Sequence, residues 1–263
     1  MRKNSNQLLL AIDIGNTSVL AGLFRGSQII RRVRMPSTGN WTKFVKALLP
    51  FKKQLKAGIV SSVVPRLTPS LGKVLKNRLG LKVLVVGKDV IVPIRNRYSR
   101  PQQVGSDRLL NALAGYKMKG GPLVIADFGT ALTFDVVNRR GDYLGGVIVP
   151  GLGIWLGALA EKTALLPRVS VPKQIGSLKL PGRSTVASIL AGALFGYADI
   201  CDGVVGRVQG LFSSKLKTMA CGGLARICTT YCKTIRYIDV DLTLKGLMWT
   251  YRVYRSERGQ RDN

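Results

Sequence analysis

Residues 8–24 read LLLAIDIGNTSVLAGLF, and residues 122–136 read PLVIADFGTALTFDV. Each begins as an apolar run that ends in an aspartate, Asp13 or Asp127. One apolar residue and a glycine follow, then Asn16-Thr17 or Thr130, and then a second apolar run. The two copies stand about half the chain apart. A strand rich in Val, Ile and Leu carries its terminal carboxylate to the sheet edge with little freedom. Glycine lets the backbone approach a ligand without a Cβ in the way. Thr and Asn supply side-chain donors, and the N–H groups of the turn add more. A carboxylate repels phosphate unless a cation lies between them, so Asp13 and Asp127 read as metal-side groups. A plain hairpin, with Asp and Gly serving only the turn, accounts for one copy. Two copies in matching context favour a phosphate site on each.

Working outward, strands are expected at 8–14, 18–24 and 28–35, a helix interrupted by Pro50 at 41–56, a strand at 57–64, a helix at 68–78 and a strand at 81–86. A proline-bearing loop leads to a helix at 105–117. The second half repeats the pattern, with strands at 123–128, 131–137 and 143–149 and a helix at 151–163. A long, glycine-containing helix at 185–212 follows. The chain closes with a strand at 216–220, a helix at 224–233, a strand at 234–238 and a helix at 242–254. This alternation predicts an α/β protein with mixed sheets flanked by helices, in two lobes of residues 1–117 and 118–263.

Composition narrows the chemistry. A chain of 263 residues that is 46% hydrophobic builds a substantial core. Residues 1–7 are polar and the apolar run after them stops at Asp13, so no secretory leader is expected. Residues 143–160 carry no charge, but five glycines and Pro150 parse them as strand, turn and helix instead of a membrane span. The chain has no histidine, which excludes Ser-His-Asp and Cys-His catalysis and leaves a carboxylate as the expected general base. Cys201, Cys221, Cys228 and Cys232 form no CxxC pair and read as reduced thiols in a cytoplasmic protein. The formal charge of +28 attracts polyanions, yet the cations are dispersed and no nucleic-acid motif accompanies them.

Three further stretches read as parts of a site. Gly105-Ser106-Asp107-Arg108 opens a helix, where free N–H groups favour anions. Asp107 there is either a cap or, beside the two Asp/Gly turns, a substrate base; Arg108 suits a carboxylate or phosphate. Gly145-Gly146 through Pro150-Gly151, and Gly222-Gly223, serve either a nucleotide's flat groups or tight helix–strand packing.

Taken together the chain resembles the type III pantothenate kinases, a branch of the acetate kinase, sugar kinase, actin and heat-shock chaperone superfamily. The resemblance rests on Asp13-Ile14-Gly15-Asn16-Thr17, Gly105-Ser106-Asp107-Arg108, Asp127-Phe128-Gly129-Thr130-Ala131 with Asp135, and Tyr143-Leu144-Gly145-Gly146 with Pro150-Gly151. It continues through Thr163-Ala164, Leu166-Pro167, Gly182-Arg183-Ser184-Thr185, Gly222-Gly223, and Asp241-Leu242-Thr243-Leu244 with Gly246-Leu247. These occur in the family's order over nearly the whole chain.

The resemblance implies two ribonuclease-H-like lobes with an ATP cleft between them, in a cytoplasmic homodimer, and ATP-dependent phosphorylation of pantothenate at the start of coenzyme A synthesis. Carried over position by position, Asp13, Ile14, Gly15, Asn16, Thr17, Ser18, Val19 and Leu20 hold the ATP phosphates, with Mg²⁺ beside Asp13. Thr130 also touches ATP. Asp127 binds the monovalent cation, K⁺ or NH₄⁺. Tyr98, Gly105, Ser106, Asp107, Arg108 and Thr185 contact pantothenate, and Asp107 is the general base. Two features depart from the family: Ser184 stands where Asn is usual, and the +28 charge is out of pattern. The competing expectations are a kinase for another small hydroxy acid or sugar, and a regulatory or polyanion-binding protein on a kinase scaffold. No membrane and no specific nucleic acid are expected as partners.

Overall fold

The computed structural model describes residues 7–171 and 178–261; the polar start at 1–6 lies outside them. In chain order the elements are β1 (Leu8–Ile14), β2 (Ser18–Arg25), β3 (Gln28–Pro36), α1 (Thr42–Leu48), β4 (Leu55–Ser62), α2 (Thr68–Leu79), β5 (Val83–Val85), α3 (Ser106–Lys119), β6 (Leu123–Phe128), β7 (Ala131–Val137), β8 (Tyr143–Pro150), α4 (Leu152–Lys162), α5 (Thr185–Gln209), β9 (Lys217–Cys221), α6 (Ala225–Cys228), β10 (Tyr237–Ile238) and α7 (Leu242–Arg261).

The duplicated Asp-Gly stretch builds the same sheet twice. One sheet has the order β3-β2-β1-β4-β5 and the other β8-β7-β6-β9-β10. In each, the strand ending in the aspartate pairs antiparallel with the strand after the turn and parallel with a later strand. β1 is apolar at nearly every position because both its faces are covered. Leu8, Leu10, Ile12 and Ile14 point to one side, against Trp41, Phe44, Leu48, Leu71, Leu75 and Leu79 from the α1–α2 layer. Leu9 and Ala11 point to the other, against Leu110, Leu113, Leu244, Leu247 and Met248 from α3 and α7. In the second sheet Val124, Ala126 and Phe128 of β6 pack on Leu152, Leu156, Leu194, Tyr197, Cys201 and Ala225.

Several boundaries differ from the sequence expectation, each for a local reason. The helix expected across 41–56 ends at Leu48, and residues 49–51 tighten into a 3₁₀ turn around Pro50, which has no N–H to give the helix. β4 therefore starts at Leu55, inside the expected helix. The expected helix at 224–233 is one turn, α6, continued by a 3₁₀ turn at Thr229–Tyr231. The strand at 234–238 shrinks to Tyr237–Ile238.

The chain forms two compact units, and they interleave. The first holds the chain up to Arg95, residues 99–114 and the segment from Leu242; the second holds 96–98 and 115–241. The expected contiguous division at 117/118 thus differs from the observed one, because α7 returns to the first sheet. A Cβ at Gly246 would strike the backbone carbonyl of Leu110, so only glycine lets α7 lie this close to α3. Thr243 Oγ1 donates to the buried Asn111 Oδ1 at 2.8 Å across the same contact.

α5 is long and apolar enough to cross a membrane by length and composition. One side of it, including Leu194, Tyr197, Cys201, Val205 and Val208, is buried in the second unit's core.

Candidate active site

In the first unit the site grows from the β1–β2 turn. Asp13 closes β1 opposite Leu20, and Ile14 pairs with Val19. Gly15 N–H donates to the Ser18 carbonyl at 3.0 Å, which closes the turn, and Ser37 Oγ braces it by donating to the Gly15 carbonyl at 2.6 Å. Asn16 and Thr17 are left exposed on the turn, with Ser18 and Leu20 half-buried and Val19 buried. A narrow turn with exposed donors and a carboxylate at its root suits a polyphosphate with its cation.

The register of β4 then brings the α3 start to this turn. Asp13 lies beside Ser61 in the parallel β1–β4 pair. Ser61 is buried, and its Oγ shares a hydrogen bond of 3.0 Å with Ser106 Oγ at the first position of α3. Asp107 occupies the first turn of α3, where helix dipole and free N–H groups favour negative charge. Its Oδ1 accepts from Arg108 N–H at 2.9 Å, and a Cβ at Gly105 would strike this carboxylate. Within the first unit, the Ser61–Ser106 bond thus joins β4, beside Asp13 of β1, to the start of α3 that carries Asp107. Ser61 was missed by sequence reasoning, because its place depends on the register of β4 beside β1.

In the second unit the equivalent turn joins β6 to β7. Asp127 lies opposite Thr133 on β7 and Cys221 on β9. Gly222, at φ +91°, has no Cβ to strike the Asp127 carboxylate and the Phe128 carbonyl. The buried Cys221 thiol is pushed well up, first by burial and then by the negative Asp127, Asp135 and Asp239. Thr130 ends the turn, and the start of α4 closes on it: a Cβ at Gly151 would strike the Thr130 carbonyl. Tyr197 OH donates to the Pro150 carbonyl and holds the β8–α4 junction.

Tyr98 also belongs to the second unit. Its ring lies over Gly145 and is 6.5 Å from that of Tyr143, whose OH donates to the buried Asp135 at 2.9 Å. Arg97 beside it pairs with Asp142 at 3.2 Å. Thr185 is carried by a different element, exposed at the first position of α5. Ser184 is the N-cap of that helix, its Oγ accepting from Ala187 N–H at 3.2 Å. The Ser184 hydroxyl thus serves the backbone, which explains how serine fits where the family resemblance leads one to expect asparagine.

Among the described residues no group of three or more His, Cys, Asp or Glu side chains gathers to hold a metal ion. A dedicated protein cage for Mg²⁺ is therefore missing among them, and Asp13 fits the alternative of one carboxylate meeting a cation carried by phosphates. The Asp127 carboxylate and the Phe128 carbonyl, both beside Gly222, are oxygen donors of the kind a hard monovalent cation takes.

The family model for type III pantothenate kinases matches residues 9–207. The chain is 35% identical to the type III pantothenate kinase of Moorella thermoacetica and 38% identical to that of Geotalea daltonii, each over 93% of this chain and 98% of the relative. The chain belongs to the type III pantothenate kinase family. Membership makes it a kinase by class. The fold agrees with a solved structure described as a putative Baf family transcriptional activator from Campylobacter jejuni, at a TM-score of 0.60 and 18% identity over 94% of this chain and 99% of that one. A putative N-acetylmannosamine kinase from Listeria monocytogenes matches at a TM-score of 0.52 and 14% identity over 95% and 100%. Both of those likenesses concern the fold alone.

Proposed function

We propose that this type III pantothenate kinase transfers the terminal phosphoryl group of ATP to the primary hydroxyl of pantothenate, the first step towards coenzyme A. Family membership carries the proposal, because the matched span contains Asp13, Asp107, Asp127, Thr130 and Thr185 in order. In this mechanism the β1–β2 turn, from Asp13 to Leu20, holds the nucleotide phosphates through backbone N–H groups, Asn16 and Thr17. Thr130 adds a contact from the β6–β7 turn. Tyr98, Gly105, Ser106, Arg108 and Thr185 bind and orient pantothenate. Asp107 accepts the hydroxyl proton as the new P–O bond forms, in a transfer governed by positioning and charge neutralisation. Asp13 would hold Mg²⁺ and Asp127 would hold K⁺ or NH₄⁺, which would supply positive charge against the phosphates.

The same proposal includes a homodimer in the cytoplasm, with α5 a core helix. The buried Tyr197 and Cys201 side supports that role for α5, and the resemblance to the family supports the dimer. The test is ATP turnover with and without pantothenate, in potassium and in sodium. Turnover that needs both pantothenate and potassium is expected. The Asp127→Ala variant is expected to lose the potassium stimulation while keeping its fold. An undiminished potassium response in that variant removes Asp127 from the cation site; turnover with another hydroxy acid alone replaces pantothenate as acceptor.

A further inference from the structure

Between Asp13 and Asp89 the chain carries fifteen lysines and arginines and not one aspartate or glutamate. This stretch builds β2, β3, α1, β4, α2 and β5 of the first unit. α1 and α2 turn Phe44, Val45, Leu48, Leu71, Leu75 and Leu79 inward onto β1. Helical periodicity then sends their cations outward. Lys43 and Lys46 of α1, Lys73, Lys76 and Arg78 of α2, and Lys52 and Lys53 in the turn after α1 are all exposed. The edge strand β3, which α1 contacts, adds exposed Arg31, paired with Leu23 on the α1–α2 side of the sheet. With no carboxylate on any of these elements, the whole layer projects one sign of charge.

None of these groups belongs to the kinase site, and a small phosphorylated substrate needs two or three cations, not a face of them. A face of spread cations on elements that carry no carboxylate matches the repeated charge of a phosphodiester backbone. The layer's other features select among polyanions. Trp41 and Phe44 are buried, so the helices offer no ring on which an unpaired base would stack. Among the described residues of α1, α2 and the turn between α1 and β4, the large apolar side chain left exposed is Leu49, too little to anchor in a lipid surface. We propose that the α1–α2 layer is a sequence-independent docking surface for the phosphate backbone of double-stranded nucleic acid, held in addition to the kinase activity.

The test is fluorescence anisotropy with a short labelled DNA duplex, titrated with the full chain from about 50 to about 200 mM salt. Binding is expected to weaken linearly in log–log form. The triple variant Lys73→Gln/Lys76→Gln/Arg78→Gln is expected to lose about 0.9 of slope for each lost phosphate contact, roughly 3 in all. Arg255→Gln/Arg258→Gln, on α7 against the opposite face of the sheet, is expected to keep the parent slope. Pantothenate-dependent ATP turnover is expected to be unchanged in both, which separates this docking from the kinase reading. If the triple variant fails to fold, Lys73→Gln alone reads the loss of one contact. A slope unaltered by these α2 variants, no duplex binding at about 50 mM salt, or tighter binding to phosphatidylserine vesicles than to duplex overturns the proposal.

Discussion

Asp107, the proposed base, stands in the first turn of α3, and its neighbour Ser106 bonds the buried Ser61 of β4, the strand beside Asp13 of β1. Removing the charge while keeping the shape tests the role. Asp107→Asn is expected to leave the thermal midpoint near that of the parent and to lower turnover by about a hundredfold or more, read in a coupled assay of ADP release. Near-parent turnover would take Asp107 out of the base role. At this scale the sequence was informative about aspartates and glycines, because they recur in the same context. It was silent about Ser61, which has no local signature. Its importance arises from the register of β4 beside β1, a non-local property.

Among the elements, strands buried on both faces were legible as largely apolar runs: β1, β6 and β7 have the expected bounds. Elements near turns were less so. Pro50 ended α1 before the residues expected to continue it, and the stretch after Leu224 folds into short turns in place of one helix. The N-terminus of α5 gives a clean test of local structure. Ser184 Oγ satisfies the Ala187 N–H, and Ser188 Oγ donates to the Gly182 carbonyl just upstream. Ser184→Ala is expected to destabilise the chain by about 1 kcal/mol, seen as a thermal-midpoint loss of a few degrees. Ser184→Asn, a residue that also caps, is expected to hold the midpoint near the parent value. A midpoint unchanged by alanine would show that the cap is dispensable.

For the whole molecule, the duplicated topology was visible in the sequence, but the return of α7 to the first unit was not. Its apolar residues announce a buried face without saying which sheet covers it. Global stability carries a pH signature from the buried thiols. Burial, reinforced by the neighbouring Cys232, pushes Cys228 up to about 12. Cys201 is raised first by its hydrogen bond with Cys232 and then by burial. An unfolded thiol titrates near about 8.5. Below that pH both states keep the proton and the folded state has its full stability. Above it the unfolded chain releases protons that the folded chain holds, so stability falls by up to about 1.4 kcal/mol per pH unit for each such thiol. Urea midpoints at pH 8 and pH 10 are expected to show this fall, and Cys228→Ala is expected to show less of it. An equal fall in parent and variant would assign the effect to other groups.

The interleaved path of the chain has a consequence for biogenesis. Leu9, Ala11, Phe24 and Ile59 leave the ribosome well before Leu244, Leu247 and Met248, which cover them. The second unit is therefore synthesised in full while the first still shows a bare apolar face, open to chaperones and to neighbouring nascent chains. A chain cut short before α7 would keep that face bare, so α7 is what seals the first unit.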